Sequence, residues 1–128
     1  MSRCPTATRR ALLTAALAWP WLSAVAHGTW LPKYGGVMND GETSFEMVIA
    51  PRQITFYLSD HGTPIATAGA QGTLTWVRDG VTRQIPLAVA GADSVKAALT
   101  ERFQPGDSLL ARVTLGSGSI VAGRFVMQ

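Results

Sequence analysis

From Thr43 onward, apolar side chains recur at every second position, a period that a strand can bury on one face and a helix cannot. Phe45, Met47 and Ile49 alternate with Ser44, Glu46 and Val48, and Ile54, Phe56 and Leu58 alternate with Thr55, Tyr57 and Ser59. Pro51-Arg52 joins these two strands. Gly72–Val77 reads as a third, with Leu74 and Trp76 on one face. Asp79-Gly80 is a two-residue hairpin signal leading into Val81–Val89. Val95–Thr100, Ser108–Leu115 and Ile120–Met127 follow, with Pro105-Gly106-Asp107 as a turn before the second and Gly116-Ser117-Gly118 joining the last two. About seven short strands spaced about 8–12 residues apart predict an all-β fold, an antiparallel β-sandwich of immunoglobulin-like size. Only Ala92–Leu99 is also compatible with a helical turn.

Two segments of different character precede the strands. Residues 27–42 are dominated by Gly, Pro and aromatics without a regular period, and are expected to form a loop arm packed on the sandwich. In residues 1–26, Arg3, Arg9 and Arg10 lead into an apolar run, Ala11–Val25, that closes on Ala24-Val25-Ala26. This is the pattern of a cleaved signal peptide. The run is broken by Pro20 and is shorter than the roughly 20 residues of a membrane span. Thr8-Arg9-Arg10-Ala11-Leu12-Leu13 also resembles a twin-arginine signal, so export by the general or the twin-arginine route is expected, leaving one domain over 27–128.

The formal charge of the 128-residue chain is +3, but three of its 11 Lys and Arg lie in the leader, which contains none of its 8 acids. The exported chain is therefore neutral, and composition gives no argument for nucleic acid or an anionic membrane as partner. The single Cys, Cys4, leaves with the leader. Without thiols, a disulfide framework and a thiolate zinc site are excluded, and a hydrophobic core must hold the domain alone.

Cleavage after Ala26 would make His27 the first residue. Its α-amine and Nδ1 can then close a six-membered chelate on one metal ion, and both groups release their protons near neutral pH. The second histidine, His61, would bring a third nitrogen. A tetragonal nitrogen and oxygen set suits Cu(II), which also stands highest in the divalent affinity order. Asp60, beside His61, is the candidate oxygen ligand, with Asp40 and Glu42 as further acids near the arm's end. In a continuing strand Asp60 and His61 would point to opposite faces, whereas a turn at His61-Gly62-Thr63-Pro64 could aim both one way. Met38 and Met47 are possible soft ligands, but Met47 falls on an apolar strand face and reads as core. Trp30 and Tyr34 could shield the metal. The competing reading makes His61 an ordinary turn residue, Asp60 a turn cap, and Trp30 and Tyr34 pins that hold the arm down. No enzymatic activity is expected: Ser59-Asp60-His61 are consecutive and cannot line up as nucleophile, base and orienting acid, and no helix follows the Gly-rich arm to cradle phosphate.

His27-Gly28, Tyr34-Gly35-Gly36-Val37, Phe45-Glu46-Met47-Val48, Tyr57 through Ile65 and Gly69-Ala70-Gln71-Gly72 resemble segments of small exported proteobacterial proteins that recur near heavy-metal efflux adaptors. That resemblance implies a periplasmic role in metal handling. A partial resemblance to CopC-type periplasmic copper-resistance proteins implies that His27 is a chelating terminus and that Asp60 and His61 complete the set. Here Asp and His are adjacent rather than one residue apart, lie mid-chain, and Gly28 follows the histidine. The expected function is periplasmic copper binding or delivery through His27, His61 and Asp60. The alternative is a metal-free interaction module accessory to a metal-efflux or envelope assembly.

Overall fold

A computed structural model describes residues 30–39 and 41–128; the expected leader, His27 and Asp40 lie outside the described residues. The described residues form nine strands: β1 (Val37–Met38), β2 (Thr43–Ala50), β3 (Gln53–Asp60), β4 (Thr63–Pro64), β5 (Gln71–Arg78), β6 (Val81–Gly91), β7 (Ser94–Ala98), β8 (Ser108–Thr114) and β9 (Ile120–Val126). Every pairing is antiparallel. The seven long strands are those the alternation predicts, with ends shifted by a residue or two. Two corrections follow. The arm contains β1, because Val37 and Met38 pair with Met47 and Glu46. Ala92–Leu99 forms no helical turn, because β7 is held on one side by β3 and on the other by β6.

One sheet runs β1-β2-β3-β7-β6 and the other β6-β5-β8-β9. Setting aside the two-residue strands, the first sheet holds the first, second, fifth and fourth strands in that order, and the second the fourth, third, sixth and seventh, an immunoglobulin-like sandwich whose fourth strand is shared. β6 belongs to both sheets: Val81–Leu87 pairs with β5, and Ala88, Val89 and Gly91 pair with β7 across a register shift. An extra residue at such a bulge bends the strand and sharpens its twist, which lets one strand turn the corner between sheets. Pro86 lies in the part of β6 that is outermost in its sheet, where a missing N–H is tolerated.

The inner faces meet in one core of Phe45, Phe56, Leu58, Leu74, Trp76, Val95, Leu109, Val113 and Phe125. Phe56 links the sheets, with ring centroids 6.2 Å from Phe45 and 5.7 Å from Phe125. Met47 is core, as its strand face implies. Ile49 shares that face yet is 47% exposed, because the last turnward residues of β2 run past the core into an open groove. Ser44 and Glu46, on the opposite face, are buried too, Glu46 because the arm lies over it.

Candidate functional site

Asp60 ends β3 and pairs with Thr63 across the two-residue turn His61-Gly62. Both turn residues have positive φ, 49° and 83°, as a type I′ hairpin requires. A left-handed histidine carries a steric cost of about 1–2 kcal/mol, so this turn holds His61 where most side chains are disfavoured. The conformation turns His61 back on its neighbour: Nδ1 lies 2.6 Å from Asp60 Oδ1, and the two side chains are 83% and 62% exposed. With a proton on Nδ1 the ring donates to Oδ1, and Nε2 is then the nitrogen left to act as a ligand. Metal-ligating histidines are commonly oriented in this way by an outer carboxylate.

The arm approaches this turn across the outer face of β2. Its backbone has little ladder pairing, and Glu46 supplies acceptors instead. The Glu46 side chain, 4% exposed, accepts N–H bonds from Lys33 at 2.7 Å, Tyr34 at 2.7 Å and Gly36 at 2.9 Å. Any side chain at Gly36 would strike the Met47 carbonyl, so the arm comes this close only as glycine. Asn39 fastens the arm's far end, accepting from Phe45 N at 2.7 Å and donating to the Thr43 carbonyl at 3.1 Å. Tyr34 stacks on Tyr57 with centroids 3.7 Å apart, and its hydroxyl is pushed above the usual tyrosine range chiefly by the Asp93 carboxylate. Lys33 Nζ reaches the Gly62 carbonyl at 3.4 Å, and the Trp30 ring lies over Gly62, 3.1 Å from where a β-carbon would stand. The cleft between arm and sheet measures about 40 Å³, room for a few waters and no larger ligand.

Of the residues singled out from sequence, the fold therefore brings Asp60 and His61 together and sets Trp30 and Tyr34 beside them. Glu42 is exposed, Met38 is half-buried and paired with Glu46, and Met47 is in the core. His27 and Asp40 lie outside the described residues. Among the described residues, no three His, Cys, Asp or Glu side chains stand close enough to hold a metal ion. Glu46 escaped the sequence reading because an acid on the outward phase of a strand looks solvated. The available signal is the Gly-rich arm about ten residues earlier, whose unpaired amides need an acceptor.

A second polar cluster lies at the opposite end of the sandwich. Asp107, 1% exposed, accepts from Trp76 Nε1 at 2.9 Å, Gln104 N at 2.8 Å, and Arg78 Nε and Nη2 at 3.0 and 2.8 Å. The Arg78 hydrogen bonds hold its carboxyl far below the usual carboxylate range. Arg78 also donates to Glu101 at 3.1 Å and to the Arg102 carbonyl at 2.9 Å, and Arg83 reaches Glu101 at 3.0 Å. The two guanidinium carbons sit 5.2 and 5.3 Å from the Trp76 ring centroid. With these groups saturated by one another, the cluster clamps the β7–β8 crossover to the second sheet.

No protein-family model matches the sequence, and no curated protein is similar to it. Among solved structures the chain is similar to one described as a Br derivative of BhCBM56, with a TM-score of 0.43 and 11% identity over 71% of this chain and 99% of that one.

Proposed function

We propose that this is a periplasmic protein that binds or delivers Cu(II) through His27, with His61 and Asp60 completing the site. The observation that carries the reading is the exposed Asp60–His61 turn with Trp30 packed on it. Trp30 follows His27 by three residues, and a chain extends at most about 3.3–3.6 Å per residue, so the leading amine lies within roughly 11 Å of the Trp30 backbone. The ligands are then the α-amine and Nδ1 of His27 and Nε2 of His61. Asp60 acts on the metal through its hydrogen bond to His61 Nδ1, holding the ring and raising its basicity.

Intact mass of the exported chain is expected to place His27 first. Cu(II) titration followed by electron paramagnetic resonance is expected to give three coordinated nitrogens, with one lost in His61→Ala and affinity lowered about 10–100-fold in Asp60→Asn. His27→Ala removes the imidazole half of the chelate. Equal affinity across these variants rejects the proposal.

The second reading, a metal-free interaction module, is favoured by the row of exposed apolar side chains on the arm: Trp30, Leu31, Tyr34 and Val37. It holds if the exported chain ignores Cu(II) while Trp30→Ala abolishes capture by an envelope partner.

A further inference from the structure

We infer that the groove at the other end of the sandwich binds a single-chain aliphatic carboxylate. The groove opens between the sheets where the β2–β3 turn, the β7–β8 crossover and the last residues of the chain meet. It is an open groove of about 430 Å³ whose apolar walls are Ile49, Ala50, Pro51, Leu99, Phe103 and Met127. That volume lies within the range of small-molecule sites, about 300–1,000 Å³. A second recess of about 430 Å³ continues over Leu99 and Thr100.

The walls are fixed by the frame. Leu99 N donates to the Arg52 carbonyl at 2.9 Å, and Met127 N donates to the Asp107 carbonyl at 2.8 Å. Phe103 packs on Trp76 with centroids 4.4 Å apart. An apolar ligand would thus enter a surface already shaped, with little ordering to offset its gain.

The charges at the rim select the head group. Arg102 borders the groove, Arg102 and Arg52 border the adjoining recess, and both are exposed. Among the described residues neither side chain has an acid within ion-pair distance. The one acid lining the recess, Glu101, is held by Arg78 at 3.1 Å and Arg83 at 3.0 Å. Two unpaired guanidinium groups beside aliphatic walls complement an amphiphile with an anionic head, and a guanidinium matches a carboxylate in bidentate fashion.

This site is separate from the copper proposal. Thr43, at one end of β2, pairs with Asp60, whereas Ile49 and Ala50 line the groove at the other end. At about 3.3 Å per residue, the strand sets the two roughly 20–23 Å apart.

The test is titration of the exported chain with decanoate below its micellar concentration, read by calorimetry and by Trp76 fluorescence relayed through Phe103. Saturable one-to-one binding is expected, at least tenfold weaker in the double variant Arg52→Gln/Arg102→Gln and abolished by Ala50→Trp. The double variant alters only exposed side chains, so its thermal midpoint should be unchanged, and it carries the test if Ala50→Trp fails to fold. Decyltrimethylammonium should not bind. The inference is overturned if decanoate shows no saturation, if the cationic amphiphile binds equally well, if the double variant binds as the parent does, or if only anionic phospholipid vesicles are bound.

Discussion

Two acidic side chains show what a single residue contributes here. Asp107 is a buried carboxylate whose charge is balanced by Arg78 and whose oxygens are occupied by Trp76 and Gln104. Removing one partner of such a pair strands the other, at a cost of about 3–5 kcal/mol. Asp107→Ala should therefore lower the denaturant midpoint more than Glu101→Ala, whose carboxylate is partly exposed. Because the folded carboxyl titrates far below its unfolded value of about 3.9, its stabilisation is complete above that value and is lost as pH falls toward the folded pKa. Unfolding followed from pH 6 to 2 should show a steep acid limb in the parent and a flatter one in Asp107→Asn; identical limbs would reject the assignment. At His61 the backbone is the constraint. His61→Asn, which tolerates positive φ, should keep the hairpin within about 0.5 kcal/mol, whereas His61→Val should destabilise it by about 1–2 kcal/mol in thermal unfolding. The adjacency of Asp60 and His61 was legible in the sequence. Their hydrogen bond was not, since it depends on a φ that the dipeptide His-Gly only permits. Asp107 was legible as a turn residue, but its partners come from strands about thirty residues away.

At the scale of elements, alternation reveals one buried face per strand, and this held for β5 and β8 but not for β3, where outward-facing Thr55 is buried between Ile54 and Phe56. It failed for β2, where four consecutive residues from Ser44 to Met47 are buried. The arm has no period of its own, so its position against β2 could be read only from the tertiary structure. Asp79-Gly80 was read correctly from local chemistry, and the observed φ values of 49° and 78° are those its turn type demands. The arm's attachment rests on one carboxylate with three backbone donors, and Glu46→Gln offers a single carbonyl in place of two charged oxygens. Loss of such bonds costs about 1–3 kcal/mol, and it should appear as local opening. Amide exchange at Tyr34 and Gly36 is expected to quicken by about 10–100-fold, while the amides of β3 and β8 keep their protection. Trp30 emission should shift to the red, and if the copper reading holds, Cu(II) affinity should fall with it. Unchanged exchange at Tyr34 would show that the Glu46 carboxylate does not hold this part of the arm.

For the whole molecule, seven strands and their turns could be read from one chain, and their size suggested the immunoglobulin-like class. The sheet membership of β6 could not, because its alternation runs without a break from one sheet into the next and only the pairing changes. That shared strand closes one side of the sandwich. The other side closes where β9 meets β2: a β-carbon at Gly123 would stand 2.7 Å from the Phe45 ring. Glycine is needed there for space, since its φ is not in the left-handed region. Overpacking a core costs about 1–3 kcal/mol, and in a domain of this size each kcal/mol shifts the melting temperature by about 4–8 °C. Gly123→Ala should thus lower the Tm by about 4–24 °C. Gly118→Ala, open on all sides but at φ 95°, should act only on its own hairpin through backbone strain. With β6 joining the sheets on one side and Phe45 seated on Gly123 on the other, the two sheets share one core and should melt together. Far-ultraviolet dichroism, which follows all strands, and Trp76 fluorescence in a Trp30→Phe background, which follows the second sheet, should give one midpoint in the parent and one lower midpoint in Gly123→Ala. Two separate midpoints in the parent would mean that the sheets are independent units and that β6 is a tether rather than a shared wall.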